Sequence, residues 1–415
     1  MHSIDSLLGI VIVQISVILI FANLIGYGLS KIRQPVVIGE IIAGILLGPS
    51  FLGRLSPSVS KALFPENSLN TLMILSQIGL ILFMFVIGAE LDLQAMRKRL
   101  GSVIFISQFS MIVPFAMGLG TAYFLYDEFA PHNVPFLGFA LFIGISMSIT
   151  AFPVLARMVK ERGISNTNIG VTALTCAAIN DIVAWCLLAV VVAVVRKGSV
   201  VSSFHTILLC LCYVLAMVLV VRPILRRAFR NSAKTNVISG GSMAIILVLL
   251  FISSWVTESI GIHALFGAFF AGLILPGDAD FRKTIIKHIG HVGTVLLLPL
   301  FFVISGLRTR IDLINDTHTL VIGSIVILTA IAGKLGGTAA AAGLARYSLK
   351  DSLSIGALMN TRGLMELIVL NIGYDLGIFS SSMFTIMVLM ALISTILTFP
   401  ILDLIDRLMP GIQKR

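Results

Sequence analysis

The chain has 415 residues, 58% of them hydrophobic and 12% charged. A soluble globular domain carries about 25% charged residues, so the composition excludes one and points to an all-α integral membrane protein whose first partner is the lipid bilayer. The net charge of +10 would suit nucleic acid in a soluble chain, but here it fits basic cytoplasmic loops, and no nucleic-acid partner is expected.

Apolar runs between charged or Pro/Gly breaks predict thirteen spans, near 7–28, 36–53, 69–89, 99–126, 134–159, 167–196, 203–221, 236–256, 261–276, 287–306, 317–345, 352–374 and 380–402. About 20 apolar residues cross the hydrocarbon core. No cleavable leader pattern stands at the N-terminus, so the first span is expected to be retained. The loops after odd-numbered spans, with the C-terminal tail, hold 21 of the 29 Lys and Arg residues. The N-terminus and the loops after even spans hold six, and Lys334 and Arg362 lie within spans. The positive-inside rule then puts the N-terminus outside, the C-terminus in the cytoplasm, and the chain in the cell membrane.

Residues 39–49, GEIIAGILLGP, resemble 267–277, GAFFAGLILPG, and each is followed by a helix ending in a similar phrase, FVIG at 85–88 and FVISG at 302–306. The copies are seven spans apart. An odd offset makes them run in opposite directions through the bilayer, the inverted repeat typical of secondary transporters.

Polar residues inside the spans are few. Gln77 on span 3 either lines an ion approach or makes a helix–helix hydrogen bond. Span 5 contains SITAFPVLARMV at 148–159, where Pro153 removes a backbone donor and Ser148 and Thr150 are able to rebond freed backbone groups. Span 6 carries Asp181 in CAAINDIVAWC at 176–186. An acid in mid-membrane is costly and marks a functional site by default. Ala177, Ala178 and Ala184 leave room on its face, and Asn180 beside it offers an amide oxygen. Burial favours the neutral form of an acid and a nearby cation the charged form, so Asp181 is suited to trade a proton for a metal cation, held transiently. A permanent pairing with Lys334 is the structural alternative. The four cysteines, Cys176, Cys186, Cys210 and Cys212, fall in apolar runs and read as small hydrophobes. His288 and His291 read as a solvated or headgroup-facing feature of a basic loop.

Lys334, in AGKLGG, is flanked by glycines that suggest close helix packing, with Asp181 or backbone carbonyls as partner. Span 12 holds MNTRGLMEL at 359–367, where Asn360, Thr361 and Gly363 surround Arg362 and Glu366 follows one turn later. Spans 5 and 12 therefore read as helices interrupted near mid-depth, at corresponding places in the repeat. Such breaks survive only buried in protein or lining a cavity, and they point to a binding site. Lys334, Arg362 and Glu366 are expected to balance the partial charges of the crossed helix ends.

The run MSITAFPVLARMVKERGISNTNIGVTALTCAAINDIVAWCLLAV and the run ALMNTRGLMELIVLNIG resemble the signature regions of monovalent cation:proton antiporters of the CHX/Kef branch, and the similarity covers nearly the whole chain. The resemblance implies two inverted six-helix repeats joined by a linker helix, a six-helix transport core with crossed discontinuous helices, and a scaffold that forms a homodimer. Mapped here, 1–96 and 234–312 would be scaffold, 97–200 and 313–415 core, and 201–233 the linker. It implies elevator-type exchange of K⁺ or Na⁺ for H⁺, K⁺ being favoured, at an ion site marked by Asn180 and Asp181 with the breaks at Thr150 and Thr361 beside it and Lys334 as the shared membrane lysine; Ser148 is expected to join Asp181, Asn180 and Thr150 in binding the ion or proton. Electrogenic relatives carry two adjacent acids where this chain has Asn180 and Asp181, which favours electroneutral exchange. Many members also carry a soluble regulatory domain after the membrane part. Since this chain ends at GIQKR, such a domain is expected to be separate or removed. No cofactor beyond the transported ions is expected, and no Gly-rich phosphate loop is present. A cation channel would need a filter motif, and a membrane enzyme a nucleophile–base pair or HExxH spacing; neither pattern appears in the sequence.

Overall fold

The computed structural model describes residues 7–31, 34–90, 100–165, 167–197, 204–229, 239–276 and 279–409, and every regular element among them is a helix. In chain order those of ten residues or more are α1 (Leu7–Lys31), α2 (Val36–Leu47), α3 (Glu66–Glu90), α4 (Leu100–Phe129), α5 (Phe136–Ser148), α6 (Phe152–Glu161), α7 (Asn168–Lys197) and α8 (Phe204–Ala228). There follow α9 (Gly240–Ile260), α10 (Ala264–Leu273), α11 (Ala279–Val292), α12 (Leu298–Arg308), α13 (Thr317–Leu344), α14 (Leu349–Met359), α15 (Leu364–Asp375) and α16 (Ser381–Leu408). Short polar side chains start several of them. Asp316, Ser348 and Ser380 each accept a backbone N–H from the first turn of α13, α14 and α16, the usual N-cap arrangement.

Among the described residues eleven helical segments are long and apolar enough to cross a membrane, three of them running over more than one helical piece (Val36–Leu55, Phe136–Lys160 and Phe281–Leu313), and α14 with α15, bent by 44° at their junction, make a twelfth if counted as one span. The chain is thus a multi-pass membrane protein. The thirteenth expected span, near 261–276, is the ten-residue α10. At about 1.5 Å per residue it covers half a bilayer. Gly261 in the left-handed region ends α9, and His263 caps α10 two residues later, which sets the short start. His288 also differs from its reading as a loop residue: it sits exposed on α11, its ring bonded to the Thr284 carbonyl. Of the four thiols only Cys176 is buried. Cys186 and Cys212 lie exposed on α7 and α8, facing outward from apolar helices rather than filling a core.

The described chain divides into two compact units. The first comprises residues 1–22, 55–93 and 189–304. Within it α3 and α10 pack backbone to backbone, because a Cβ on Gly88 would run into the Phe269 carbonyl and one on Gly272 into the Phe85 carbonyl. Ser253 on α9 donates to the Gly267 carbonyl (2.7 Å) and takes a bond from Tyr213 (2.6 Å), which tethers α8, α9 and α10. Gln77 is exposed on α3.

The second unit comprises residues 23–54, 94–188 and 305–415. Its apolar core gathers residues of α4, α6, α7, α13, α14 and α16, among them Ile106, Leu155, Cys176, Ala341, Leu358 and Leu402. Helix α13 approaches α4 closely through small residues. A Cβ on Gly333 would lie 2.8 Å from Met117 Sδ, and one on Gly337 2.7 Å from Val113 Cβ. Such small-residue seams replace the hydrophobic drive that lipid cannot supply between helices. At one end of the unit Arg162, which caps α6, bonds Asp403 (2.6 Å) and Asp406 (3.0 Å) of α16, and Lys350 of α14 bonds Asp406 (3.1 Å). The far ends of α6 and α14 are thereby tied to one helix.

Candidate functional site

Two chain breaks organise the second unit. Helix α5 stops at Ser148, residues 149–151 are extended, and α6 begins at Phe152. Helix α14 stops at Met359, and α15 begins at Leu364 after Asn360, Thr361, Arg362 and Gly363. Pro153 lies in the first turn of α6, where a missing N–H costs nothing. It starts the second half-helix rather than kinking a continuous one. Gly363 has φ +155° and ψ −123°, a region essentially closed to other residues. The two breaks bond directly to each other: the Ala151 N–H donates to the Thr361 carbonyl (3.0 Å), and the Thr150 hydroxyl to the Met359 carbonyl (2.9 Å).

A helix that ends inside a membrane leaves carbonyls without partners and a partial negative charge. At α5 three successive carbonyls are met by cationic side chains. Arg362 Nη1 donates to Ser146 and Nη2 to Met147, both at 2.8 Å, and Lys334 Nζ donates to Ser148 and to Ser110 of α4, the latter at 2.9 Å. Both cations are buried, at 1% and 0% exposure. Of the two partners open to Lys334 from sequence, the structure selects backbone carbonyls. Glu366, also fully buried, lies 3.3 Å from Arg362 Nη1.

Asp181 sits on α7 with 0% exposure, and among the described residues neither of its carboxylate oxygens has a hydrogen-bond partner. The Phe152 N–H at the start of α6 is the backbone donor directed at the carboxylate, too loosely placed to count as an ordinary hydrogen bond, and the Lys334 ammonium acts on its charge. An unpartnered buried carboxylate is expensive, and a helix N-terminus aimed at it is the favourable end of the dipole. Asn180, by contrast, is engaged at both ends: its oxygen accepts from Ser107 (2.6 Å) and its amide donates to Ser110 (2.8 Å), which in turn donates to the Ser107 carbonyl. This triad staples α7 to α4 beside the acid.

The Thr150, Ser148 and Thr361 hydroxyls each donate to a backbone carbonyl, of Met359, Ile145 and Leu358 respectively. Each oxygen retains lone pairs. The break therefore offers Asp181 and several neutral oxygens, the hard oxygen donors that alkali cations accept, with the Met158 thioether 3.7 Å from the Thr361 hydroxyl. A small recess, with about 10 Å³ of room for a water-sized molecule and lined among others by Ile38, Ile41, Val154, Arg362, Gly363 and Thr395, opens beside the second break.

Sequence reasoning missed Ser107 and Ser110, since single serines in apolar helices are ordinary. It also passed over Glu40 on α2, inside the first copy of the repeat. Glu40 is half-buried, its Oε2 has no partner among the described residues, and Arg157 of α6 acts on its charge. An isolated acid within an apolar run was the signal available for it.

Residues 16–404 match a family described as the transmembrane sodium/hydrogen exchanger. The chain is 42% identical over 393 residues to the Na(+)/H(+) antiporter NhaS4 of Synechocystis, an alignment covering 94% of this chain and 96% of that protein. It is 39% identical to cation/H(+) antiporter 19 of Arabidopsis thaliana over 97% of this chain, and 32% identical to K(+)/H(+) antiporter 1 of Saccharomyces cerevisiae over 99%. It spans about half the length of those two relatives, 50% and 48%. The fold is similar to that of the sodium proton antiporter MjNhaP1 from Methanocaldococcus jannaschii at pH 8, with a TM-score of 0.73 at 16% identity, covering 98% of this chain and all of that one. The chain belongs to the transmembrane sodium/hydrogen exchanger family.

Proposed function

We propose that the protein is a monovalent cation/proton antiporter in which Asp181 binds either a proton or the cation, never both. One observation carries this reading: a fully buried carboxylate with two unpartnered oxygens beside a crossed pair of helix breaks whose cationic side chains are occupied elsewhere. Competition at one carboxylate couples the two fluxes. An empty, charged Asp181 resists passage through an apolar barrier, so movement requires an occupant, which suppresses leak. Thr150, Ser148, Thr361 and backbone oxygens at the break replace part of the ion's hydration, and Asn180, bonded to Ser107 and Ser110, holds α7 against α4.

The exchange is one for one and electroneutral, because Asn180 stands where a second acid would add charge. Access alternates by an elevator motion within a homodimer. An inverted repeat underlies that motion. Its support is a matched pair of close approaches: a Cβ on Gly306 would strike the Ile41 carbonyl with Ile45 N near, and one on Gly88 would strike Phe269 with Leu273 N near. These are the same two contacts in register on the two copies. The basic-residue asymmetry supports an external N-terminus and a cytoplasmic C-terminus in the cell membrane.

For the cation, the CHX/Kef resemblance favours K⁺, while the cyanobacterial relative of nearly equal length is named a Na⁺/H⁺ antiporter. Proton release from proteoliposomes on adding K⁺, Na⁺, Rb⁺ or Li⁺ separates the two readings. The central test is Asp181→Asn in the same liposomes: exchange is expected to vanish, and a variant that still trades cations for protons would sink the mechanism.

A further inference from the structure

The carbonyl end of α5 leaves one charge unaccounted for. Arg362 gives its two short bonds to Ser146 and Met147, at 2.8 Å each, and its contact with Glu366 is longer, at 3.3 Å. Glu366 Oε1 has that single contact and Oε2 has no partner among the described residues, although the side chain is 0% exposed. An ionised carboxylate has about four acceptor positions to fill. A buried carboxylate that fills one of them, at long range, is poorly compensated, whereas its neutral form leaves only an unpaired hydroxyl at far lower cost.

The neighbouring elements bring little else that carries charge. Helix α5 has no titratable side chain, and those of α16 (Asp403, Asp406 and Arg407) lie in its last turns. Helix α13 brings Lys334, which acts on both Glu366 and Asp181. The end of α12 brings Arg308, engaged with Asn371 and Asp375 further along α15. Helix α2 brings Glu40, facing Arg157. Two acids with open oxygens thus share the field of Lys334, and only Asp181 has been given a proton to exchange.

We infer that Glu366 is a second proton-binding site in the unit, distinct from Asp181, and that its proton lowers cation affinity at Asp181 by removing a negative charge from the surroundings of Lys334, which faces both acids. This rests on the antiporter reading. When Glu366 takes a proton from water, the crossing gains one net positive charge and a metal cation at Asp181 is opposed more strongly. When it releases the proton, Arg362 regains its counter-charge and the opposition falls.

The test uses the full chain in liposomes. Infrared difference spectra on a pH jump should show the carbonyl-stretch band of a protonated buried carboxyl that persists in Asp181→Asn and disappears in Glu366→Gln. In transport assays Glu366→Gln, fixed in the neutral form, should raise the cation KM at high pH by about fivefold or more, while at low pH its KM converges on that of the unmodified protein. A spectrum that Glu366→Gln leaves unchanged, or a high-pH KM unaltered in that variant, would overturn the inference. If Glu366→Gln does not fold, Glu366→Asp serves in its place: its band should shift rather than vanish, and an unshifted band counts against the site. The antiporter reading fails separately, by Asp181→Asn retaining exchange with the Glu366 band intact.

Discussion

Arg362 and Lys334 close the same helix end, each from a different element of the second unit. Arg362 from the second break takes the Ser146 and Met147 carbonyls, and Lys334 from α13 takes the next carbonyl, Ser148. Each hydrogen bond to a charged group contributes about 1.5–3 kcal/mol. Arg362→Met should therefore cost on the order of 3–6 kcal/mol, and it also removes the Arg362 hydrogen bond from the buried Glu366. Lys334→Met should destabilise comparably, because it strands Ser110 and Ser148. Arg362→Lys keeps the charge but cannot span two carbonyls with a fork, and should recover only part. Thermal unfolding in detergent reads all three.

The Asn180 triad gives a second expectation. Ser110→Ala removes the acceptor of the Asn180 amide and should cost about 1–3 kcal/mol for an orphaned buried donor. Asn180→Asp places a second acid next to Asp181. If one acid accounts for one-for-one exchange, the variant should generate a membrane potential during turnover where the unmodified protein does not. A potential-sensitive dye in proteoliposomes distinguishes the two.

These residues differ in how readable they were from sequence. Asp181, Lys334 and Arg362 each stand alone in an apolar run, and the energetic cost of a charge in lipid makes such isolation informative. The breaks were readable from Pro153 and from the Asn360–Gly363 cluster, although Pro153 turned out to open a half-helix. What Lys334 touches was not readable, because its partners are main-chain carbonyls that carry no residue identity. The engagement of Asn180 by Ser107 and Ser110 depends on α4 lying against α7, about 70 residues away in sequence, and no local pattern encodes that. The short α10 escaped because hydropathy over 261–276 cannot distinguish a half-bilayer helix from a full crossing.

Outside the membrane-spanning segments, Asp316 caps α13 by accepting the Thr319 N–H at 2.8 Å. Hydrogen bonds from Thr319 hold its carboxyl below the usual carboxylate range. The folded value lies below the unfolded one, so the cap's contribution is complete above the unfolded carboxylate value near about pH 4 and is lost as pH falls through the folded value. Asp316→Asn retains a capping oxygen without titrating. Its stability relative to the unmodified protein should rise as pH drops below about 4, and melting curves across that range test the sign.

Gly363 supplies the sharpest test of the crossing. Its φ of +155° closes the position to other residues, and a Cβ there would lie 3.0 Å from Val154 Cγ2 of α6. Strain of this kind costs about 1–3 kcal/mol. It acts one residue from Arg362, whose backbone N–H is anchored on the Thr395 hydroxyl at 2.9 Å. Gly363→Ala should therefore lower both thermal stability and exchange rate, by displacing the guanidinium from Ser146 and Met147. The double variant Gly363→Ala with Val154→Ala removes the steric contact but not the backbone strain. If the conformation of Gly363 holds the break open, the double variant stays impaired; full recovery would assign the position's role to crowding against α6 alone.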